Sequence, residues 1–319
     1  MMSILLHPLV TLKERLNMNR SAIFLGATLL MLSSFSWYPN PADGQMPTKI
    51  FISVDMEGIG GVGSPLMASS GGKDYGTARE YMTQEINTVV STIFERIPNA
   101  KILVNDSHGD HQNVLHGQLH PKVNYIQGRI KPLGMVQGLD SSFDGVIFIG
   151  YHAKAGDPDG FLAHTGSGAV KGLWLNDVEV GEGGMNAALA GSLGVPVILA
   201  AGDSAATAEL GQLLGSETVT TKTAETPSSA RLLHPQVVRG MLMDATITAL
   251  DRMENDEFEP LDLGKSIEIK MRFGSTTHVD ILLSIPGVSK IDGFTIRYLA
   301  EDMDQAYRLI RLMYSFIRT

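Results

Sequence analysis

From residue 49 onward the apolar positions follow two rhythms. Short unbroken runs, KIFISV (49–54), KILV (101–104), GVIFIG (145–150) and VPVILAA (195–201), are rich in Val and Ile, as strands buried on both faces are. Between the first two, Met82, Ile86, Val89, Val90, Ile93, Phe94 and Ile97 recur at three- and four-residue spacing, which predicts a helix with one buried face. The strands read as residues 49–55, 101–105, 123–127, 145–150 and 195–201. Further helices read as 183–193, whose Ala and Gly suit close packing on a sheet, and 204–214. The alternation predicts an α/β fold, a three-layer sandwich around a mostly parallel or mixed sheet.

Past residue 223 the rhythm loosens. Residues 223–259 read as helical and irregular, 266–273, 279–283 and 294–298 as strands, and 303–317 as a closing amphipathic helix. This makes a smaller C-terminal α+β portion, with residues 262–319 a possible subdomain. The front of the chain has another character: Lys13, Arg15 and Arg20 precede an apolar or small stretch at 22–35, and Ser34-Phe35-Ser36 offers a small-x-small cleavage site. Residues 1–46 are therefore expected to be a signal peptide and linker, with translation starting at Met1 or Met18, and 48–319 the folded domain. The expected location is periplasmic or secreted, without stable membrane association once the signal is cleaved. An uncleaved amino-terminal anchor is the alternative.

Composition narrows the chemistry. The 319 residues carry 34 acids against 25 bases, a net charge of −9, and no basic run, so nucleic acid is not an expected partner. With no cysteine, any metal must sit on histidine and carboxylate, and nine histidines are present. Asp55 and Glu57 follow the first strand two residues apart, which in extended backbone points both carboxylates the same way. Such neighbours repel unless a cation or protons intervene. Asp106 and His108 repeat the pattern at the next strand end, and His152 follows the strand ending at Gly150. Oxygen and imidazole donors from three strand ends suit a divalent ion such as zinc, or two ions bridged by a carboxylate.

His164 lies in the small, polar segment AHTGSGA, and Glu182 in GEGGMN at a helix start, where it could simply face the helix dipole. His111, His116 and His120 read as surface residues, and His234 and His278 as structural ones. Gly58, Gly60 and Gly63 satisfy G-x-G-x-x-G, yet the loop-like SPLMASSGGK that follows opens no helix, which argues against a dinucleotide fingerprint.

Taken in order, SVDMEG, NDSH, GYHA, AHTGSGA and NDVEVGEGGMNA resemble the zinc-dependent D-aminopeptidase family, from about residue 49 to the carboxyl terminus. The resemblance implies two zinc ions per subunit held by Asp55, Glu57, His108, His152 and Glu182, with His164 as an additional catalytic residue. It further implies hydrolysis of amino-terminal D-residues such as D-Ala from dipeptides and short peptides by metal-activated water, in a ring-shaped homodecamer. The export signal departs from the family's founding pattern. Two alternatives remain at this stage, a metal-dependent amide or ester hydrolase of other specificity and a non-catalytic exported protein that binds peptide or metal.

Overall fold

The computed structural model describes residues 48–317, so the expected signal at 1–46 lies outside the described residues. In chain order the elements are β1 (Lys49–Val54), α1 (Tyr75–Arg96), β2 (Lys101–Asp106), β3 (Asn124–Ile126), β4 (Gly145–Tyr151), β5 (Val170–Leu175) and β6 (Val178–Glu179). There follow α2 (Glu182–Ser192), β7 (Val197–Asp203), α3 (Ser204–Leu214), β8 (Glu217–Thr226), β9 (Ser229–Leu232) and α4 (Pro235–Glu254). The chain closes with β10 (Ile267–Phe273), α5 (Thr276–Leu282), β11 (Ser289–Lys290), β12 (Thr295–Ala300) and α6 (Met303–Phe316).

Seven strands form one sheet in the order β3-β2-β1-β4-β7-β8-β9, parallel except for the β8–β9 hairpin. The unbroken apolar runs are explained by burial on both faces. Ile50, Ile52 and Val54 of β1 enter one core with Met82, Ile86 and Val89 of α1 and Val238 and Leu242 of α4. Phe51, between them, enters a second core with Phe148, Ala187 of α2 and Tyr307 of α6. Each such side chain contributes on the order of 1.5–3 kcal/mol, which makes the middle of the sheet a rigid base. Helices on one face, the sheet, and a mixed layer on the other make up the three-layer α/β sandwich.

That mixed layer contains an antiparallel sheet in the order β11-β12-β10-β5-β6. Strands from residues 170–179 thus pair with strands from the C-terminal portion, and the last segment has no sheet of its own. Two local expectations are overturned. Residues 279–283 lie in and just after helix α5, not in a strand, because the Ser275 side chain caps the turn by accepting from Thr277 N. Within 223–259, the hairpin of β8 and β9 precedes α4, hidden in the sequence by a polar, Thr-rich strand. Among the described residues no helix is long and apolar enough to cross a membrane.

The strand order reverses beside β1: the chain proceeds to β2 and β3 on one side, then returns to β4 on the other. In open α/β sheets ligands collect beyond the carboxyl ends of strands at such a switch point. Asp55, His108 and His152 all stand just past the carboxyl ends of these strands.

Candidate metal centre

Strand β1 stops at Val54, and the chain turns at once. Asp55 N donates to Ile149 O and Gly58 N to Gly150 O, each at 2.8 Å, which stitches the turn to the end of β4. A Cβ on Gly58 would lie 2.0 Å from Tyr151 O, and one on Gly150, at φ +72°, 2.2 Å from Asp55 O. The close approach therefore requires glycine on both sides. Asp55 and Glu57 do converge, but through this turn rather than through the extended backbone that the sequence suggested.

Both carboxylates meet His108. Its Nδ1 lies 3.1 Å from Asp55 Oδ1 and 3.0 Å from Glu57 Oε2, while its Nε2–H donates to Ala68 O at 2.6 Å. His152 donates from Nδ1 to Ala153 O (3.0 Å), which turns Nε2 toward Asp55 Oδ2 and Glu182 Oε2, each 3.5 Å away. Glu182, the first residue of α2, accepts from Gly166 N at 2.6 Å and faces His164 Nε2 at 3.5 Å. His164 is oriented by its Nδ1–H, which donates to Leu162 O (2.8 Å), and its ring stacks on His152 with centroids 4.0 Å apart. Asp55, Glu57 and His108 form one group able to hold an ion; His152, His164 and Glu182 form another. All six predicted residues are brought together.

The electrostatics favour added positive charge. Burial, then the neighbouring Glu57, pushes Asp55 up to about 8. Burial would lower His108 and His152, but the facing carboxylates outweigh it and hold both imidazoles well above their usual range. Without a cation the cluster draws protons instead. His152 Nε2 is buried and has no hydrogen-bond partner among the described residues, with its backbone-bonded Nδ1 fixing the lone pair inward. A lone pair aimed at two carboxylates but out of good bonding distance fits a divalent ion.

Other residues take unexpected places. Asp106 stays outside the metal groups; its carboxylate accepts from Asn113 N, Val114 N and Tyr125 OH, which shapes the loop after β2. His111, read as a surface residue, is buried and donates to Asp106 O at 2.8 Å; burial, with Lys131 nearby, lowers it to about 4. Two supporting residues escaped the sequence reading. Lys222 of β8 is fully buried and donates to the carbonyls of Glu57, Ile59 (2.7 Å) and Val62 (2.7 Å), which uses all its donors on the glycine-containing loop. Glu85 of α1 accepts from Gly60 N at 2.7 Å. A lysine in the polar run VTTKTAET carries no signal of burial, whereas Glu85 falls on the apolar stripe of α1, three residues after Met82, a visible anomaly.

Known proteins resemble this chain over most of its length. The chain is similar to a D-aminopeptidase of Bacillus subtilis (strain 168), 34% identical over 267 residues that cover 83% of this chain and 96% of the relative. It is also similar to the solved structure of the Zn-dependent D-aminopeptidase DppA from Bacillus subtilis, described as a self-compartmentalizing protease. That match has a TM-score of 0.81 and 33% identity, and covers 85% of this chain and all of the other. The profile of the D-aminopeptidase family matches residues 48–312, and the chain accordingly belongs to this family of peptidases.

Proposed function

We propose that this protein is a dinuclear zinc aminopeptidase that removes amino-terminal D-residues, such as D-Ala, from dipeptides and short peptides. The observation that carries the reading is the pairing of two ligand groups through one side chain: Asp55 turns Oδ1 to His108 and Oδ2 to His152. Asp55, Glu57 and His108 would hold one ion, and His152 and Glu182, with Asp55 between, the other. When bound, such a pair lowers the pKa of water and polarises a scissile carbonyl.

The chain's own residues supply the rest. His164 presents Nε2 to the cleft, with a side chain 33% exposed, and its Nδ1 bond to Leu162 O leaves Nε2 as the nitrogen that exchanges a proton. There it can donate to the departing amine or to oxyanion charge developing on the carbonyl carbon's oxygen. Glu182 Oε1 lies 3.5 Å from that nitrogen and helps to keep the ring turned toward the cleft. Residues 1–46 would direct export, so the enzyme would act outside the cytoplasm, where D-Ala-containing cell-wall fragments are available. A homo-oligomer, with a decamer the arrangement expected from the family resemblance, is supported by the self-compartmentalizing relative.

The test is metal analysis together with turnover. Purified protein should carry about two zinc ions per chain and cleave D-Ala-D-Ala much faster than L-Ala-L-Ala. Full zinc with no cleavage of any amide or ester would make the protein a binder instead.

A further inference from the structure

A cleft of about 830 Å³ opens onto the metal ligands, and its charges are segregated. Its acids are Asp55, Glu57 and Glu182, all at the metal end; its bases are Arg129, Lys131, Arg308 and Arg311. Arg308 is paired with Asp304 at 2.7 Å. Lys131 and Arg311, by contrast, bond only to neutral acceptors among the described residues. Lys131 Nζ donates to Asn105 Oδ1 (2.7 Å) and Asp106 O (2.5 Å), and Arg311 to Tyr314 Oη (3.1 Å) and Lys131 O (3.2 Å).

Donor accounting leaves capacity on both. An ammonium has three protons and Lys131 uses two; a guanidinium has five and Arg311 uses two. Lys131 is only 7% exposed; the Asp106 carboxylate attracts it but spends its hydrogen bonds on Asn113, Val114 and Tyr125, and a buried cation without a bonded anion is costly to the fold. Arg311 is seated rather than free: a Cβ on Gly134, at φ +45°, would lie 1.7 Å from its Nη1, so the guanidinium occupies the space a side chain would fill. Both cations, brought together from α6 and from the segment between β3 and β4, thus wait for an anion on the cleft wall.

We propose that Lys131 and Arg311 receive the free α-carboxylate of the substrate, which makes the enzyme selective for short peptides with an unblocked carboxyl terminus. The inference rests on the aminopeptidase reading, which puts the substrate's amino end at the acidic, metal-binding end of the same cleft. A short peptide whose scissile bond lies at the ions then carries its carboxyl end toward the wall that holds these two cations, and a guanidinium fork suits a carboxylate. Longer chains would carry their carboxylate past the wall and lose this contact.

The experiment compares kcat/KM of the zinc-loaded wild-type enzyme for D-Ala-D-Ala and for its carboxyl-terminal amide. The free acid is expected to be better by at least about tenfold, mostly through KM, the scale of one charge-assisted hydrogen bond. Arg311→Gln and Lys131→Met should each shrink that ratio toward one, with Arg311→Lys in between. Equal wild-type values for acid and amide would overturn the inference and leave the aminopeptidase reading standing. Ratios unchanged in both variants would overturn the assignment to these two residues. If neither compound is cleaved, the aminopeptidase reading falls and this inference with it. The wild-type comparison needs no variant, so misfolding of Lys131→Met leaves the test intact.

Discussion

Asp55, Glu57 and His108 stand at the ends of two neighbouring parallel strands, all buried, with His108 locked from behind by Ala68. His152, His164 and Glu182 come instead from the end of β4, a loop and the first turn of α2, and His164 is open to the cleft. On the proposed reading the first group holds an ion, and the second holds an ion and reacts. A shared scaffold of strand ends fixes the first group, whereas the loop supplies an imidazole that is a third exposed to the cleft. Asp55 stands between the groups, with one oxygen toward His108 of the first and the other toward His152 of the second.

The strongest way to break this division is Asp55→Ala. It should empty both halves together and lower activity by more than about a thousandfold; atomic absorption alongside a rate assay would detect it. If the variant kept two ions, Asp55 would not join the halves. His164→Ala should separate reacting from holding: turnover falls by about a hundredfold to ten-thousandfold while zinc content stays at the wild-type level. Normal turnover in that variant would remove His164 from the chemistry.

Smaller effects should appear in the supports. Gly58→Ala forces backbone apart where Tyr151 O lies 2.0 Å from the new Cβ, with an expected cost of about 3 kcal/mol and weaker zinc retention. Urea denaturation and chelator competition would measure both. Glu85→Gln is the mildest. Burial raises the Glu85 carboxyl from an ordinary 4.5 to about 7. Between those values the folded chain keeps a proton that the unfolded chain has released, so this residue's contribution falls as pH rises. The variant should match wild type near pH 4.5 and exceed it by about 2–3 kcal/mol at pH 7, read from urea midpoints of metal-loaded protein. A constant difference across the window would exclude the carboxyl as its origin.

The same contrast governs what was readable from sequence. Strands buried on both faces announce themselves as unbroken apolar runs, so β1, β2, β4 and β7, and the candidate ligands just past the first three, were visible without a structure. Helix α5 was not, since a short apolar run fits either period until its capping serine is weighed. Asp106 looked like a ligand because residue type and place matched; only the geometry shows that its oxygens are spent on backbone amides and Tyr125. Lys131, Lys222 and Arg311 were illegible because a buried cation is defined by what surrounds it, and those surroundings come from distant segments.

The fully buried Lys222 ammonium, caged by three carbonyls, has a practical outcome. A chelator strips ions but cannot extract a covalently attached amine, so the loop behind Glu57 keeps its shape through cycles of depletion. On the proposed reading, reloading an emptied enzyme then needs no refolding of that loop, only release of the protons that the emptied cluster had taken up.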